Sequence, residues 1–395
     1  MTGNTDISEY LDLMDFTEIL YLLGENQIVD TRNPVSTPIL QTSNFSYSSF
    51  EQLKDALHDE YNNPLYSRGH NPTVRVLEEK LAALQGTESA LCFGSGSAAI
   101  AATVITHLRS GDHVICVKHC YSWTQKLLSI TLKPYGIEVD YVDDLTEEIL
   151  SSVKKDSTKM IILESPTSLN FHVPDIFLGI KYAKRFGWIS VVDNSYGSPL
   201  NNKVATLQPD YIAHSATKFI SGHSDVVAGV VCGSKERIKE VFYNGYMTFG
   251  ASLSPFDAWL LIRGLRTLPL RLEKSAHTAD LISKFLTQHP KVSAVHDPFS
   301  PTFPLLKRTK EQMDHRISMF SFELKSTSEK SVESFCNHLK IIRIAVSWGG
   351  YESLALPALA LPNSSHAKNL IRLYIGLESF ESLKSDLSTA LEAIN

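Results

Sequence analysis

The sequence predicts an α/β fold, in which a mostly parallel seven-stranded sheet has helices on both faces and a smaller C-terminal α+β domain follows. Three observations lead to this prediction. Seven short apolar runs alternate with helix-like stretches between residues 88 and 232, the runs are almost continuously apolar, and the rhythm changes after residue 255. Strands covered by helices on both faces need apolar side chains on both faces, so continuous runs indicate a parallel sheet.

The seven runs are the candidate strands of the large sheet. In chain order they are ESALCF (88–93), HVICV (113–117), IEVDYV (137–142), KMIILE (159–164), WISVVD (188–193), DYIAHS (210–215) and VVAGVVC (226–232). Open parallel sheets bind ligands outside the carboxyl ends of their strands. Polar residues that directly follow these runs are therefore the first candidates for a functional site.

The chain beyond residue 255 predicts a second architecture. A long helical stretch (256–288) precedes three short runs, and a last amphipathic helix lies near 380–394. The three runs are ISMFSFEL (318–325), KIIRIAV (340–346) and LIRLYIG (370–376). Residues 1–65 carry few periodic signals and are typical of an arm. We therefore expect an N-terminal arm (1–65), a large ligand-binding α/β domain (66–255) and a C-terminal α+β domain (256–395).

The composition excludes several classes of function. The 395 residues carry 37 Lys and Arg against 43 Asp and Glu, a net charge of −6, without the basic stripe that binds nucleic acid. Five cysteines, an odd number with no CxxC pair, indicate neither a disulfide framework nor a cysteine zinc site. We expect buried or free thiols, no metal site and no nucleic-acid partner.

Two further patterns concern membranes. The first residues are acidic where a signal peptide is basic. The stretch 89–107 has no charged residue and is long enough to span a bilayer, but Gly94-Ser95-Gly96-Ser97 interrupts it. A strand, a turn and a buried helix explain this stretch better, so we expect a cytoplasmic protein without a membrane span.

Lys218 follows the candidate strand DYIAHS, at the face where such sheets bind ligands. By position alone it could be a solvated loop lysine. Ser215 and Thr217 flank it in a pattern suited to holding a phosphate, and a partly desolvated lysine can form an imine with an aldehyde cofactor. Pyridoxal phosphate (PLP) has both groups.

Asp193 ends the apolar run WISVVD, 25 residues before Lys218. It could cap a turn, but a carboxylate is also what a PLP enzyme needs beside the pyridine nitrogen, because the protonated ring withdraws electrons from the substrate. Gly96 and Ser97 lie in a glycine turn between a strand and a helix, where backbone amides favour an anion. The same turn resembles a dinucleotide fingerprint, so a nicotinamide-dependent oxidoreductase is an alternative.

Three other residues are candidates for the functional site because of the residues that surround them in the sequence. Tyr121, just after the strand HVICV, could place its ring against a pyridine or could simply pack. Tyr66 and Arg68 lie in YSRGHNPT, where a guanidinium suits bidentate phosphate binding, although a surface turn would contain the same residues.

Five ordered motifs together resemble the Cys/Met-metabolism family of PLP enzymes, from about residue 25 to 390. They are YSRGHNPT from Tyr66, ESPT from Glu164, VDN from Val192, SATKFISGHSD from Ser215 and SWGGYES from Ser347. The resemblance implies the PLP-transferase fold of the aspartate-aminotransferase type. It also implies an amino-acid substrate and a homo-oligomer, with a tetramer built as a dimer of dimers as the expected form.

The resemblance assigns roles by position. It implies that Lys218 holds the cofactor aldehyde and then moves protons and that Asp193 pairs with the pyridine nitrogen. Tyr121 would stack on the ring and, with Lys218, be a catalytic residue. Gly96, Ser97, Ser215 and Thr217 would hold the phosphate, and Tyr66 and Arg68 would reach it from a neighbouring subunit. Arg372 would bind the substrate α-carboxylate, with Ser347 beside it.

Departures from the family pattern bear on the reaction. Val346 stands where cystathionine γ-lyase and γ-synthase usually carry a glutamate, and Trp123 replaces the cysteine that is typical of methionine γ-lyase. The segment SWGGYESL and Ser168 look most like bacterial cystathionine β-lyase, whereas the Tyr66 segment reads like the γ-acting members. The sequence thus favours β-elimination of a C–S bond, with γ-elimination or γ-replacement on a homoserine-derived substrate as the alternative.

Overall fold

The computed structural model describes residues 16–21, 23–24, 34–200, 203–362 and 364–394. The expected N-terminal arm (1–65) and the acidic N-terminal segment therefore lie partly or wholly outside the described residues. The helices are α1 Phe16–Tyr21, α2 Phe50–His58, α3 Pro72–Leu84, α4 Gly96–His107, α5 Ser122–Lys126, α6 Glu147–Val153, α7 Ile176–Phe186, α8 Lys235–Val241, α9 Met247–Phe249, α10 Pro255–Arg266, α11 Leu268–Thr287, α12 Leu306–Gln312, α13 Glu329–His338 and α14 Phe380–Glu392.

The large sheet has seven strands in the order β1-β7-β6-β5-β4-β2-β3. They are β1 Ser89–Phe93, β2 His113–Val117, β3 Glu138–Val142, β4 Thr158–Glu164, β5 Ile189–Asp193, β6 Tyr211–Ser215 and β7 Gly229–Gly233. All pairs are parallel except those of β7, which runs antiparallel to β1 and β6. The mostly parallel seven-stranded sheet is confirmed, with small shifts at the strand ends.

Burial explains why these strands are visible in the sequence. Every residue of β1, β2 and β7 is buried, whereas β3, at the edge of the sheet, is largely half-buried. Helices α3, α4, α7 and α8 pack on the sheet. A strand that is covered along its whole length needs apolar residues at every position, which gives the continuous runs.

The uncharged stretch 89–107 forms a strand, a turn and a helix, as expected. After β1 the chain turns at Gly94, and Ser95 caps the N-terminus of α4 by accepting a hydrogen bond on Oγ from the Ala98 amide at 3.1 Å. In the part of the chain that the structure describes, no helix is long and apolar enough to cross a bilayer. All five cysteines are buried.

A second, smaller sheet has five strands in the order β10-β11-β12-β9-β8. They are β8 Val292–His296, β9 Met319–Leu324, β10 Arg343–Ile344, β11 Leu354–Pro357 and β12 Leu370–Tyr374. This sheet has its own apolar core with α11, α13 and α14. The smaller α+β part is confirmed, whereas the exact boundaries at residues 66 and 256 stay a prediction.

Two expectations for the C-terminal part need correction. The run 340–346 forms only the two-residue strand β10, because the amides of Lys340, Ile341 and Ile342 bond the Asp386 carboxylate at 2.8, 3.1 and 2.9 Å instead of a neighbouring strand. The helical stretch 256–288 is two helices, since α10 ends before Thr267 and α11 begins after it. The sequence also gave no signal for β8 and β11.

Candidate active site

A cavity of about 180 Å³ lies at the carboxyl ends of the parallel strands. Adjacent parallel strands bring their last residues together, and Glu164 at the end of β4 lies in register with Asp193 at the end of β5. The cavity is lined by Ser95, Gly96, Ser97, Ile100, Tyr121, Glu164, Pro166, Thr167, Ser168, Leu169, Phe171, Asp193, Ser195, Tyr196, Ser215, Thr217, Lys218, Val227, Met319, Trp348 and Arg372. Eight of the eleven residues that the sequence singled out therefore meet in one place.

Lys218 reaches the cavity from a tight turn after β6. Its amide bonds the Ser215 carbonyl at 3.2 Å, and its Nζ donates to Ser347 Oγ at 2.5 Å. The Nζ also lies 4.4 Å from the centre of the Trp348 ring. Burial, followed by the charge of Arg372, lowers the pKa of Lys218 from 10.5 to about 8. With a pKa of about 8, roughly a tenth of this amine is neutral at pH 7, and only the neutral form can act as a nucleophile or base.

Asp193 is held by a short polar network at the end of β5. Its Oδ1 accepts hydrogen bonds from the Ser195 amide at 3.0 Å and the Ser195 hydroxyl at 2.7 Å. The same hydroxyl accepts from the Ser215 amide at 2.6 Å. Burial raises the pKa of Asp193, while the bonds from Ser195 and the charge of Lys218 oppose that rise. The carboxylate is thus oriented, and a cationic partner in the cavity would stabilise its charge.

The glycine turn at the start of α4 approaches the end of β6 closely. A Cβ atom on Gly96 would lie 3.0 Å from the Ser215 Cα, and one on Gly229 would lie 2.2 Å from the Ser95 carbonyl oxygen. Backbone amides at a helix N-terminus attract an anion. Thr217 lines the cavity, and its hydroxyl donates to the Ala228 carbonyl at 3.1 Å and accepts from the Ala228 amide at 2.9 Å. Its expected contact with a phosphate stays a prediction.

Glu164 is a half-buried acid at the end of β4, and the sequence assigned it no role. Its Oε2 accepts a hydrogen bond from the Tyr121 amide at 2.8 Å. Burial, followed by the neighbouring charge of Asp193, raises the pKa of Glu164 well above its usual range. The only signal in the sequence is the ESPT motif, which marks a loop after a strand but not its contact with Tyr121.

Arg372 brings the small sheet to the cavity. It lies on β12, is only 6% exposed, and its Nη2 donates to the Ser347 carbonyl at 2.9 Å. Burial lowers the pKa of Arg372 from 12.5 to about 10. The Trp348 ring lies beside both side chains, since its centre is 4.4 Å from the Lys218 Nζ and 5.3 Å from the Arg372 Cζ. The sequence did not assign a role to this tryptophan, which lies next to a glycine turn.

Tyr66 and Arg68 do not reach the cavity of this chain. Tyr66 pairs with Asn44 in an isolated bridge, its ring is 47% exposed, and the Arg68 guanidinium lies 5.6 Å from that ring. Their expected reach into the site of a neighbouring subunit stays a prediction. Ser347 contacts Lys218 and Arg372 without belonging to the lining set.

Comparison with known proteins gives consistent matches. The family model described as Cys/Met metabolism PLP-dependent enzyme matches residues 21–392. The chain is 35% identical over 372 residues to an L-methionine gamma-lyase of Porphyromonas gingivalis, covering 91% of this chain and 93% of the relative. It is 35% identical over 370 residues to the cystathionine beta-lyase MetC of Bacillus subtilis, with 91% and 92% covered.

A solved structure extends this similarity to the fold. A cystathionine gamma synthase from Xanthomonas oryzae pv. oryzae, in complex with aminoacrylate and cysteine, is similar with a TM-score of 0.89 and 30% identity. The alignment covers 96% of this chain and 98% of that one. Lyases and synthases that act at different carbons are thus similar to the chain to comparable degrees.

Proposed function

The chain belongs to the Cys/Met metabolism family of PLP-dependent enzymes, and we propose that it cleaves the Cβ–S bond of L-cystathionine or of an S-conjugate of L-cysteine. The family membership confirms the resemblance and the cofactor, and the solved neighbour confirms the fold. The family acts on carbon–sulfur bonds, so a sulfur amino acid is the substrate class. The proposed reaction consumes one water and releases a thiol, pyruvate and ammonia.

The residues around the cavity suit PLP. Asp193 would pair with the ring nitrogen, Tyr121 would lie against the ring, and Lys218 would hold the aldehyde carbon. The amides of Gly96 and Ser97 and the hydroxyls of Ser215 and Thr217 would hold the phosphate. The close approach at Gly96, where a Cβ would lie 3.0 Å from the Ser215 Cα, keeps the glycine turn and Ser215 together at the wall of the cavity. When bound, PLP withdraws the electron pair that is left as the substrate Cα–H bond breaks.

Lys218 would act as the base at Cα. Its pKa of about 8 leaves neutral amine at working pH, and Ser347 Oγ, 2.5 Å away, orients the Nζ. Trp348 borders Lys218 and Arg372 and covers the amine on one side. The proton that the amine takes from Cα can be returned to the leaving sulfur.

Arg372 would bind the substrate α-carboxylate. Its guanidinium is buried, so a carboxylate that meets it is desolvated and pairs strongly. The Ser347 carbonyl holds Nη2 on one side at 2.9 Å. This contact orients the planar group before substrate arrives, which places Cα between Arg372 and Lys218.

Val346 carries the choice of β-elimination. It is uncharged and 67% exposed beside Ser347, at the position where cystathionine γ-lyase and γ-synthase usually carry a glutamate. β-Elimination needs one proton removed from Cα, for which Lys218, the only amine among the described residues that line the cavity, is sufficient. γ-Elimination needs a second proton removed from Cβ.

A second candidate is γ-elimination, since several relatives that are 34–36% identical to the chain are methionine gamma-lyases. Lys218 would then have to move protons at both Cα and Cβ. The product would be 2-oxobutanoate in place of pyruvate.

A matched pair of substrates tests the proposal. S-Methyl-L-cysteine can release methanethiol only by β-elimination, and L-methionine only by γ-elimination. We expect the PLP-loaded protein to release methanethiol and pyruvate from S-methyl-L-cysteine, and homocysteine and pyruvate from L-cystathionine, with Lys218→Ala as the inactive control. Methanethiol and 2-oxobutanoate from L-methionine, with none from S-methyl-L-cysteine, would overturn the β assignment.

We also propose that the active form is a homo-oligomer, a tetramer in the expected arrangement. Tyr66 and Arg68 lie away from this chain's cavity on an exposed segment, where a guanidinium and a phenol are free to meet a neighbouring subunit. Their contribution to a phosphate in the partner's site would make the dimer the smallest active unit.

A further inference from the structure

The wall of the cavity includes a loop that is held from outside the site. This loop, residues 165–174, which we name the wall loop, joins β4 to α7 and places five residues against the cavity, Pro166, Thr167, Ser168, Leu169 and Phe171. Leu169 and Phe171 have φ values of 68° and 52°, in the left-handed region that non-glycine residues avoid. Such a conformation persists only where surrounding contacts impose it.

Gln312 is bonded to both ends of the wall loop. The Ser165 hydroxyl donates to Gln312 Oε1 at 2.7 Å, and Gln312 Nε2 donates to the Pro174 carbonyl at 2.8 Å. Gln312 is the last residue of α12 and is 2% exposed. One buried side-chain amide therefore ties the first and last residues of the wall loop. Arg308, one turn earlier, donates to the Val173 carbonyl at 2.9 Å and supports the same end.

The wall loop lies beside the residue that would bind the substrate. The Ser321 hydroxyl on β9 donates to the Leu169 carbonyl at 2.6 Å, and Ser321 is the cross-strand partner of Arg372. Lys218 and Asp193 are held by other contacts, with Ser347 and Ser195. A shift of the wall loop would therefore change the wall next to Arg372 and leave the base and the acid in place.

We propose that Gln312 is a positioning residue that sets the affinity of the site for its amino-acid substrate by fixing the wall loop. The proposal rests on the proposed function only in that an amino acid binds at Arg372. Gln312 touches no reacting atom, so its effect falls on KM and not on kcat. A residue that merely held the two sheets together would change thermal stability without changing KM.

The test replaces the amide with an apolar side chain of similar length. In Gln312→Met the Ser165 hydroxyl and the Pro174 carbonyl lose their buried partner, so the loop must shift to satisfy them. We expect KM for S-methyl-L-cysteine to rise about tenfold with kcat within about twofold of the original protein. The dissociation constant of L-norleucine, measured by visible absorbance of the PLP-loaded protein, should rise by the same factor.

Two further variants make the test specific. Ser165→Ala removes only one of the two bonds and should weaken L-norleucine binding about threefold. If both substitutions act through the same contact, the double variant should bind L-norleucine no more weakly than Gln312→Met does. Asn369→Ala is the matched control, because Asn369 is a buried amide that donates to the Leu324 carbonyl at 2.6 Å and is hydrogen-bonded to β9, not to the wall loop. It should lower the melting temperature with KM unchanged.

Several results would overturn the proposal. An unchanged L-norleucine affinity in Gln312→Met, with a lower melting temperature, would make Gln312 structural only. A fall in kcat with KM unchanged would show that Gln312 affects bond breaking and not substrate affinity. If Gln312→Met does not fold, unchanged L-norleucine binding in Ser165→Ala refutes the proposal by itself. L-Norleucine binding requires no C–S cleavage, so a wrong β assignment shows separately in the products.

Discussion

Arg372→Leu should selectively remove the recognition of a substrate carboxylate. The Arg372 guanidinium is 6% exposed, and burial lowers its pKa to about 10. In the described part of the chain its hydrogen bond is to the Ser347 carbonyl and no carboxylate pairs with it. A bound α-carboxylate would therefore be the natural partner of a desolvated charge, and leucine would leave that carboxylate buried without one.

The size of the effect follows from this burial. Truncating one partner of a buried, hydrogen-bonded charge pair costs about 2 to 5 kcal/mol. Because about 1.4 kcal/mol is a factor of ten, a central value of about 3 kcal/mol predicts roughly 150-fold weaker binding. A solvent-exposed arginine would give less than about 1 kcal/mol.

The assay compares L-norleucine with 1-pentylamine, its analogue without the carboxylate, by visible absorbance of the PLP-loaded protein. Arg372→Leu should weaken the binding of L-norleucine and leave the binding of 1-pentylamine nearly unchanged. Arg271→Leu is the matched control, since Arg271 is 8% exposed and also has a pKa of about 10, but it bonds the Phe219 and Gly264 carbonyls at 2.9 and 2.7 Å. An equal loss for both ligands in Arg372→Leu would refute the reasoning.

Three other predictions follow from the structure. Lys218→Ala should abolish product formation, and Asp193→Ala should slow exchange of the substrate Cα hydrogen by at least about a hundredfold; unchanged exchange, followed by NMR in deuterated water, would contradict the role of Asp193. Glu78 has its pKa raised from 4.5 to about 7, chiefly by burial, so its contribution to stability is complete below pH 4.5 and is lost as the pH rises through 7. Glu78→Gln should therefore gain stability relative to the original protein from about pH 5 to about pH 8, by up to about 3 kcal/mol, and a pH-independent difference in melting temperature would disprove this. If Arg68 serves the partner's site, co-expressed Arg68→Ala and Lys218→Ala chains should regain about a quarter of full activity, because each mixed dimer has one intact site. If no activity is recovered, Arg68 serves the site of its own chain or does not belong to any active site.

The large sheet could be predicted because its strands are buried on both faces. The seven runs between residues 88 and 232 are mostly apolar and each forms a strand, and the exception in burial is the edge strand β3, which is largely half-buried. The candidate residues at strand ends, such as Asp193 and Ser215, meet because parallel strands end at one edge. The antiparallel direction of β7 has no local signal, since direction depends on which strands it pairs with.

The smaller sheet was harder to predict for the same physical reason. β10 and β11 have two and four residues, which is too short for a periodic pattern. The run 340–346 is apolar enough for a strand, but the Asp386 carboxylate takes its first amides. No local pattern reports a side chain that lies 46 residues later.

The sequence by itself determined the α/β class, the large sheet, the cofactor and the residues at the strand ends, because burial and turn chemistry act on neighbouring positions. Only the tertiary structure decided that Trp348 lies beside both Lys218 and Arg372, that Glu164 bonds the Tyr121 amide, and that Gln312 holds a loop 147 residues away from it. These contacts depend on which surfaces pack together when the chain folds. A local pattern shows that a side chain is buried, but the identity of its partner is set by the packing of distant elements.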